Sequence, residues 1–210
     1  MDDLARHSET SPALLQKLRD ATSSRHTALE ALPLSKMLMR DDVTLENYAL
    51  YLRCMKDVIA FYDSEVLPLV DEILPQKPSG ERLSNLAADI AYVEQHGIHV
   101  AITEPLHFPE ISSKAFALGM AYVIEGSTLG GRVILKHLSS RIDVTERQGA
   151  AFFAGYGRET GARWRQFLEA LTTFVTDSGC ESEVIAGAVA GFDMISVHFS
   201  KYSYKLIEIS

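Results

Sequence analysis

The chain has 210 residues, 47% hydrophobic and 23% charged, with 20 basic side chains against 28 acidic ones and a formal net charge of -8. That is the composition of one globular domain, and it excludes disordered, collagenous and low-complexity architectures. The acidic balance argues against a general nucleic-acid binder, whose affinity comes from neutralising phosphates, and Cys54 and Cys180 form no CxxC pair from which a disulfide framework or a cysteine metal site could be built.

The opening MDDLARHSETSP is polar and acidic and has no apolar core of the kind a signal peptide needs. Residues 1–10 are expected to form a flexible tail ahead of a single domain over 11–210. Ser11–Pro12 has the form of an N-cap followed by a first-turn proline and predicts a helix running to about Leu32. Thr44 is the expected cap of the next helix, in which Leu45, Tyr48, Leu52, Met55 and Ile59 recur at helical spacing. Pro68, Pro75 and Pro78 punctuate a linker, and the helix after it stops at the C-cap candidate Gly97. His99 to Pro109 reads as a loop. A long apolar helix is expected from about Ser113 to Ser140, another from about Arg158 to Asp177 ending near Gly179, and a last one from about Ser182 to Tyr204. Two-residue alternation is almost absent. The expected fold is therefore an all-α, single-domain bundle of about seven helices around one core. No apolar run approaches the roughly 18 residues of a membrane span, so a cytoplasmic protein with no membrane association is expected.

The first helix carries the first candidate chemistry. Its inner stripe is expected to be Leu15, Leu18, Thr22 and Leu29, with His26 on the same broad face. At about 100° per residue, Glu30 lies one turn beyond His26 and Arg19 two turns before it, close to one face. A carboxylate at that spacing can hold one imidazole nitrogen and leave the other to bind a metal. The bland alternative is a partly buried histidine beside a solvated carboxylate, and His-x3-Glu alone does not decide between them.

The second feature is the segment FALGMAYVIEGSTLGGRVILKHL, which reads as one helix yet contains Gly119, Gly126, Gly130 and Gly131. Each interior glycine costs about 1 kcal/mol relative to alanine, so something must offset the loss. Either another helix packs closely on Gly126 and Gly130, or a flat ligand lies against bare backbone. GSTLGGR has neither the spacing nor the Lys-Ser/Thr of a P-loop, and it is not a G-x-S-x-G nucleophile elbow. The single Glu-x-x-His, Glu104 to His107, is broken by Pro105 and unpartnered, which does not suit a carboxylate-bridged di-iron bundle. One helix offers an imidazole and another offers bare backbone, an arrangement suited to a planar metal macrocycle held between them.

The patterns LRDATSSRHTALE and AYVIEGSTLGGRVILKHL resemble the heme oxygenases, especially the bacterial ones that occur with bacterial phytochromes. FFAGYGRETGARWRQFLEAL and the last helix, with Phe192 and Phe199, are similar to the same family, so the resemblance runs in order from about Leu14 to Phe199. It implies a heme-oxygenase-like helical fold and heme b bound as both cofactor and substrate, cleaved oxidatively to biliverdin, carbon monoxide and ferrous iron. On the matching positions, His26 corresponds to the iron ligand and Glu30 to the residue orienting it. Gly126 and Gly130 correspond to the distal glycines, with Gly131 beside them against the cofactor. Arg19 and Tyr122 match positions that contact the heme propionates, and Arg163 and Arg165 are similar to basic residues of the later helix near the heme edge, one or the other of which is used. Animal members carry an aspartate after the first distal glycine; here Ser127 stands there and can hydrogen-bond water without a charge.

The resemblance also implies O2 and an external electron donor (a ferredoxin, a flavodoxin or a reductase), because nothing in the sequence suggests a bound flavin or nicotinamide. A bacterial phytochrome is the expected acceptor of biliverdin where the two occur together. The alternative is a heme carrier or sensor on the same scaffold without turnover. A thiamin-degrading relative would need a nucleophilic cysteine in an acidic setting, which neither Cys54 nor Cys180 has in the sequence.

Overall fold

The computed structural model describes residues 2–74, 81–102 and 105–202, with side chains from Ala13 onward. Pro75 and Pro78 of the expected linker, Glu104, and Tyr204 at the expected end of the last helix lie outside the described residues. In chain order the helices are α1 (Asp2–Ala31), the single turn α2 (Pro33–Lys36), α3 (Leu45–Phe61), the single turn α4 (Leu67–Val70), α5 (Glu81–Gln95), α6 (Lys114–Leu138), the single turn α7 (Ala151–Ala154), α8 (Thr160–Ser178) and α9 (Glu181–Tyr202). Among the described residues there is no β-strand, only an isolated bridge joining Thr145 to Gln148 and Gly149.

Several boundaries follow from local chemistry. Thr44 and Asn47 form a reciprocal capping box at the start of α3, with Asn47 N–H donating to Thr44 Oγ1 at 3.2 Å and Thr44 N–H to Asn47 Oδ1 at 3.3 Å. Ser113 caps α6 by accepting from Phe116 N–H at 3.1 Å. Gly97 and Gly179 take positive φ, 81° and 69°, where a side chain would be strained.

Three expectations needed correction. The first helix begins at Asp2 and passes through Pro12, so Ser11–Pro12 is not its start. Pro68 does not end the second helix. A π turn over Tyr62–Val66, closed by Leu67 N–H to Tyr62 O, carries the chain into α4 and leaves the proline in a first turn, where its missing N–H is not needed. In the first stripe Leu18 is fully buried as expected, and Leu14 is fully buried beside it, while Leu15 packs only at the margin.

The bundle is organised on the crossing of α6 and α9. An added Cβ on Gly119 would strike the Val184 carbonyl, and one on Gly187 the Phe116 carbonyl; Gly191 lies against Val123. The small-residue packing considered for Gly126 and Gly130 is thus carried by Gly119, Gly187 and Gly191. Of the described helices, α9 alone is long and apolar enough to cross a membrane, and half of its apolar window is buried inside the protein.

Asp89 of α5 fixes the approach of α7 to α6. Its carboxylate accepts Ala151 N–H at 2.9 Å and Phe152 N–H at 2.8 Å, and it is almost fully buried. Burial pushes its pKa up to about 6, against the opposing pull of the Phe152 and Ala151 N–H groups. The folded protein therefore holds a proton that the unfolded chain has already released between roughly pH 4 and 6, and this group's contribution to stability declines as pH rises through that window. Melting curves of the wild type and Asp89→Asn are expected to separate across it, with the wild type losing on the order of 2–3 kcal/mol relative to the variant. Parallel pH profiles would rule this out.

Candidate functional site

The α1 stripe that binds it to the bundle leaves His26 on the flank. Lys17 pairs with Glu181 at 2.7 Å and Arg25 with Asp193 at 2.9 Å, which ties α1 along α9. The His26 imidazole is 58% exposed, meets the Phe192 ring edge-on with centroids 5.7 Å apart, and has Nδ1 3.4 Å from Glu30 Oε2. It is not a buried core histidine. Phe192 and Glu30 flank the ring, Glu30 on its Nδ1 side, and Nε2 is hydrogen-bonded to neither of them, which leaves it the nitrogen suited to a metal.

Across from it, Tyr122, Gly126, Gly130 and Val133 follow one line along α6. An added Cβ on Gly130 would meet nothing within 4 Å, so this glycine opens onto free space. The neighbouring apolar side chains Leu129 and Val133 are 47% and 63% exposed, on the half of α6 that faces away from the core. Gly126 is covered by Trp164 of α8, whose ring would be 3.2 Å from an added Cβ; Trp164 in turn leans on Tyr122, centroids 5.3 Å apart. Burial raises the Tyr122 phenol while nearby Arg19 works in the opposite direction.

Arg19 and His26 share a face of α1, and Arg19 is near enough to act on the Tyr122 phenol of α6 through its charge. Both helices pack on α8 and α9 and barely meet one another. We take the space between that face of α1 and the glycine face of α6, with Trp164 over Gly126 on one side, as the candidate groove.

The remaining predicted residues divide. The Ser127 hydroxyl donates to Ile124 O at 2.7 Å, so its proton is used within its own helix and only its lone pairs remain for water. Gly131 is turned away from the groove: an added Cβ would lie 2.7 Å from Phe153 O, so its bareness serves the α6–α7 contact. Arg163 is engaged, with Nε 3.2 Å from Glu159 and its guanidinium 4.3 Å above the Tyr156 ring, whereas Arg165 is exposed.

Sequence reading missed a buried polar cluster behind the glycine face. Glu125, next to Gly126, accepts from Tyr62 at 2.9 Å through Oε1 and from Arg82 Nη2 at 2.6 Å through Oε2. Tyr156 accepts from Arg82 at 2.5 Å and donates to Glu125 at 3.2 Å. A lone glutamate inside the apolar run AYVIEGS was the signal, since a buried carboxylate requires a cationic partner. A separate cavity of about 880 Å³, lined by Asp57, Phe61, Glu65, Leu69, Phe108 and Ile111 among others, includes none of the predicted site residues. Among the described residues no group of three or more His, Cys, Asp and Glu could hold a bare metal ion. A single oriented imidazole suits a metal that brings its other ligands with it.

The family model "Heme oxygenase" matches residues 12–201. The chain belongs to the heme oxygenase family. It is 40% identical over 87 residues to the heme oxygenase of Xanthomonas campestris pv. campestris, a match that covers 40% of this chain and 50% of that protein, so about half the length of this curated relative is spanned. The fold is that of solved heme oxygenases. The Neisseria meningitidis protein, solved with NO and CO bound, aligns at TM-score 0.68 and 21% identity over 91% of this chain and 92% of that one. The Leptospira interrogans protein aligns at 0.71 and 17% over 90% and 98%. Heme oxygenase-1 from the cyanobacterium Synechocystis, solved in complex with heme, aligns at 0.69 and 16% over 93% and 95%.

Proposed function

We propose that this protein is a heme oxygenase that cleaves heme to biliverdin, carbon monoxide and ferrous iron, using O2 and electrons from a separate donor. The observation that carries the reading is the pairing of an exposed, carboxylate-oriented imidazole on α1 with the open Gly130 face on α6. The groove fits a heme. It has one free ring nitrogen, a bare stretch of backbone, apolar flanks in Leu129 and Val133, and a cation in Arg19.

In this reading His26 Nε2 holds the iron and Glu30 keeps the ring in orientation. Bound there, heme supplies both the metal that activates oxygen and the ring that is opened. The chain supplies position. Gly130 lets the α6 backbone approach one face, Trp164 fills the space before Gly126 and excludes bulk water there, and Ser127 can accept a hydrogen bond from an ordered water. Arg19 and Tyr122 serve the propionates, and of the two later arginines Arg165 is the freer, because Arg163 is held by Glu159 and Tyr156. Gly131 is assigned to packing. The electron donor is a ferredoxin, flavodoxin or reductase, the protein acts in the cytoplasm, and a bacterial phytochrome is the candidate acceptor of biliverdin.

Adding hemin to the purified protein is expected to produce a Soret band, which disappears in air with ascorbate or a reductase as bile-pigment absorption grows. A carrier or sensor would keep the Soret band, and a protein whose glycines serve packing alone would never acquire one.

A further inference from the structure

Three of the six positions from Gly126 to Gly131 carry no side chain. Gly126 lies under Trp164, Gly131 lies against Phe153 O, and of the three only Gly130 meets nothing, so this turn of α6 is placed by few side chains of its own. Glu125 immediately precedes it and is held by three side chains. Tyr62 reaches it from the π turn, Arg82 from α5, and Tyr156 from the segment after α7, while Arg163 of α8 stacks on Tyr156. Arg82 and Glu125 side chains are only 8% and 9% exposed, so the pair is shielded from water and its geometry is stiff. The π turn falls at Tyr62, the residue that meets Glu125.

We propose that Glu125 is a positioning residue for the glycine turn: held by Arg82, Tyr62 and Tyr156, it sets the rotation of α6, and so decides over which edge of the heme ring Gly130 stands and which meso carbon is opened. This rests on the heme-cleaving reading of the same groove. Glu125 touches no reacting atom. It acts through the backbone of the residue that follows it.

The test compares Glu125→Gln and Tyr62→Phe with Arg53→Gln. The first two weaken the cluster with little change in volume. The third breaks another ion pair between α3 and α5, Arg53 with Glu94, and serves as a control for loss of stability alone. The biliverdin isomers formed from hemin are separated by chromatography, and the emission of Trp164, the sole tryptophan, is recorded on the heme-free proteins. Glu125→Gln is expected to change the isomer ratio about tenfold, equivalent to ~1.4 kcal/mol between competing routes, and to shift Trp164 emission. Tyr62→Phe is expected to move both in the same direction by less, and Arg53→Gln to move neither. A wild-type isomer ratio in folded Glu125→Gln, or an equal shift in Arg53→Gln, overturns the proposal. Should the protein open no heme, the reading of the groove fails by that result. Trp164 emission then still decides whether Glu125 holds α6, and unchanged emission in Glu125→Gln refutes it.

Discussion

His26→Ala is expected to lose heme cleavage by at least about 100-fold, beyond the ~10–100-fold typical of losing a residue that merely orients a metal ligand. The fold should be unaffected. The side chain is more than half exposed, its main contact is the edge of Phe192, and alanine is the better helix former. Heme should still enter, because Arg19, Tyr122 and the apolar flanks of α6 remain. The open groove should also admit free imidazole, which is expected to restore part of the activity. Bile-pigment formation with and without added imidazole checks this, alongside helical circular dichroism. Wild-type turnover in the unsupplemented variant would remove His26 from the mechanism.

The second large effect separates two adjacent glycines. At Gly130 an added side chain has free space before it, so Gly130→Phe should fold normally and keep its melting temperature while filling the groove. Loss of hemin binding, or of the CO complex of the reduced heme, by roughly 100-fold or more is expected, about 2.7 kcal/mol or more. At Gly131 a single methyl group would press on the backbone oxygen of Phe153, which Asp89 holds in place through α7. Overpacking of this kind costs about 1–3 kcal/mol, more than the gain of about 1 kcal/mol from removing a helical glycine. Gly131→Ala should therefore melt several degrees lower yet bind hemin normally once folded. If Gly130→Phe unfolds, or Gly131→Ala is stabilised, the two faces of α6 have been assigned the wrong way round.

The helices were legible because their signals are local. Thr44 with Asn47, Ser113, Gly97 and Gly179 each act within a few residues of themselves, and the structure uses them where they stand in the chain. Pro12 and Pro68 misled for the same reason. A proline's effect depends on the hydrogen-bond register it enters, and the π turn before Pro68 has no evident signature in composition. The family likeness was also legible, because the glycine block and the His26–Glu30 spacing are contiguous strings.

What each glycine does was not legible. Gly119, Gly126, Gly130 and Gly131 look alike in one dimension. In the folded chain the first packs on α9, the second lies under Trp164, the third opens to the groove and the fourth backs onto α7. Glu125 shows the same limit, since its partners Tyr62, Arg82 and Tyr156 are separated from it by 31 to 63 residues. Asp89, whose partners are Ala151 and Phe152, is a further case.

From its sequence alone this protein was determined to be an all-helical chain bearing an imidazole on one helix and bare backbone on another, because spacing, caps and glycine placement depend on near neighbours. Only the tertiary structure decided that both helices pack on α8 and α9, that Gly130 rather than Gly131 faces open space, and that a buried carboxylate stands behind the glycine turn. Those outcomes depend on which distant side chains meet once the helices close on a common core.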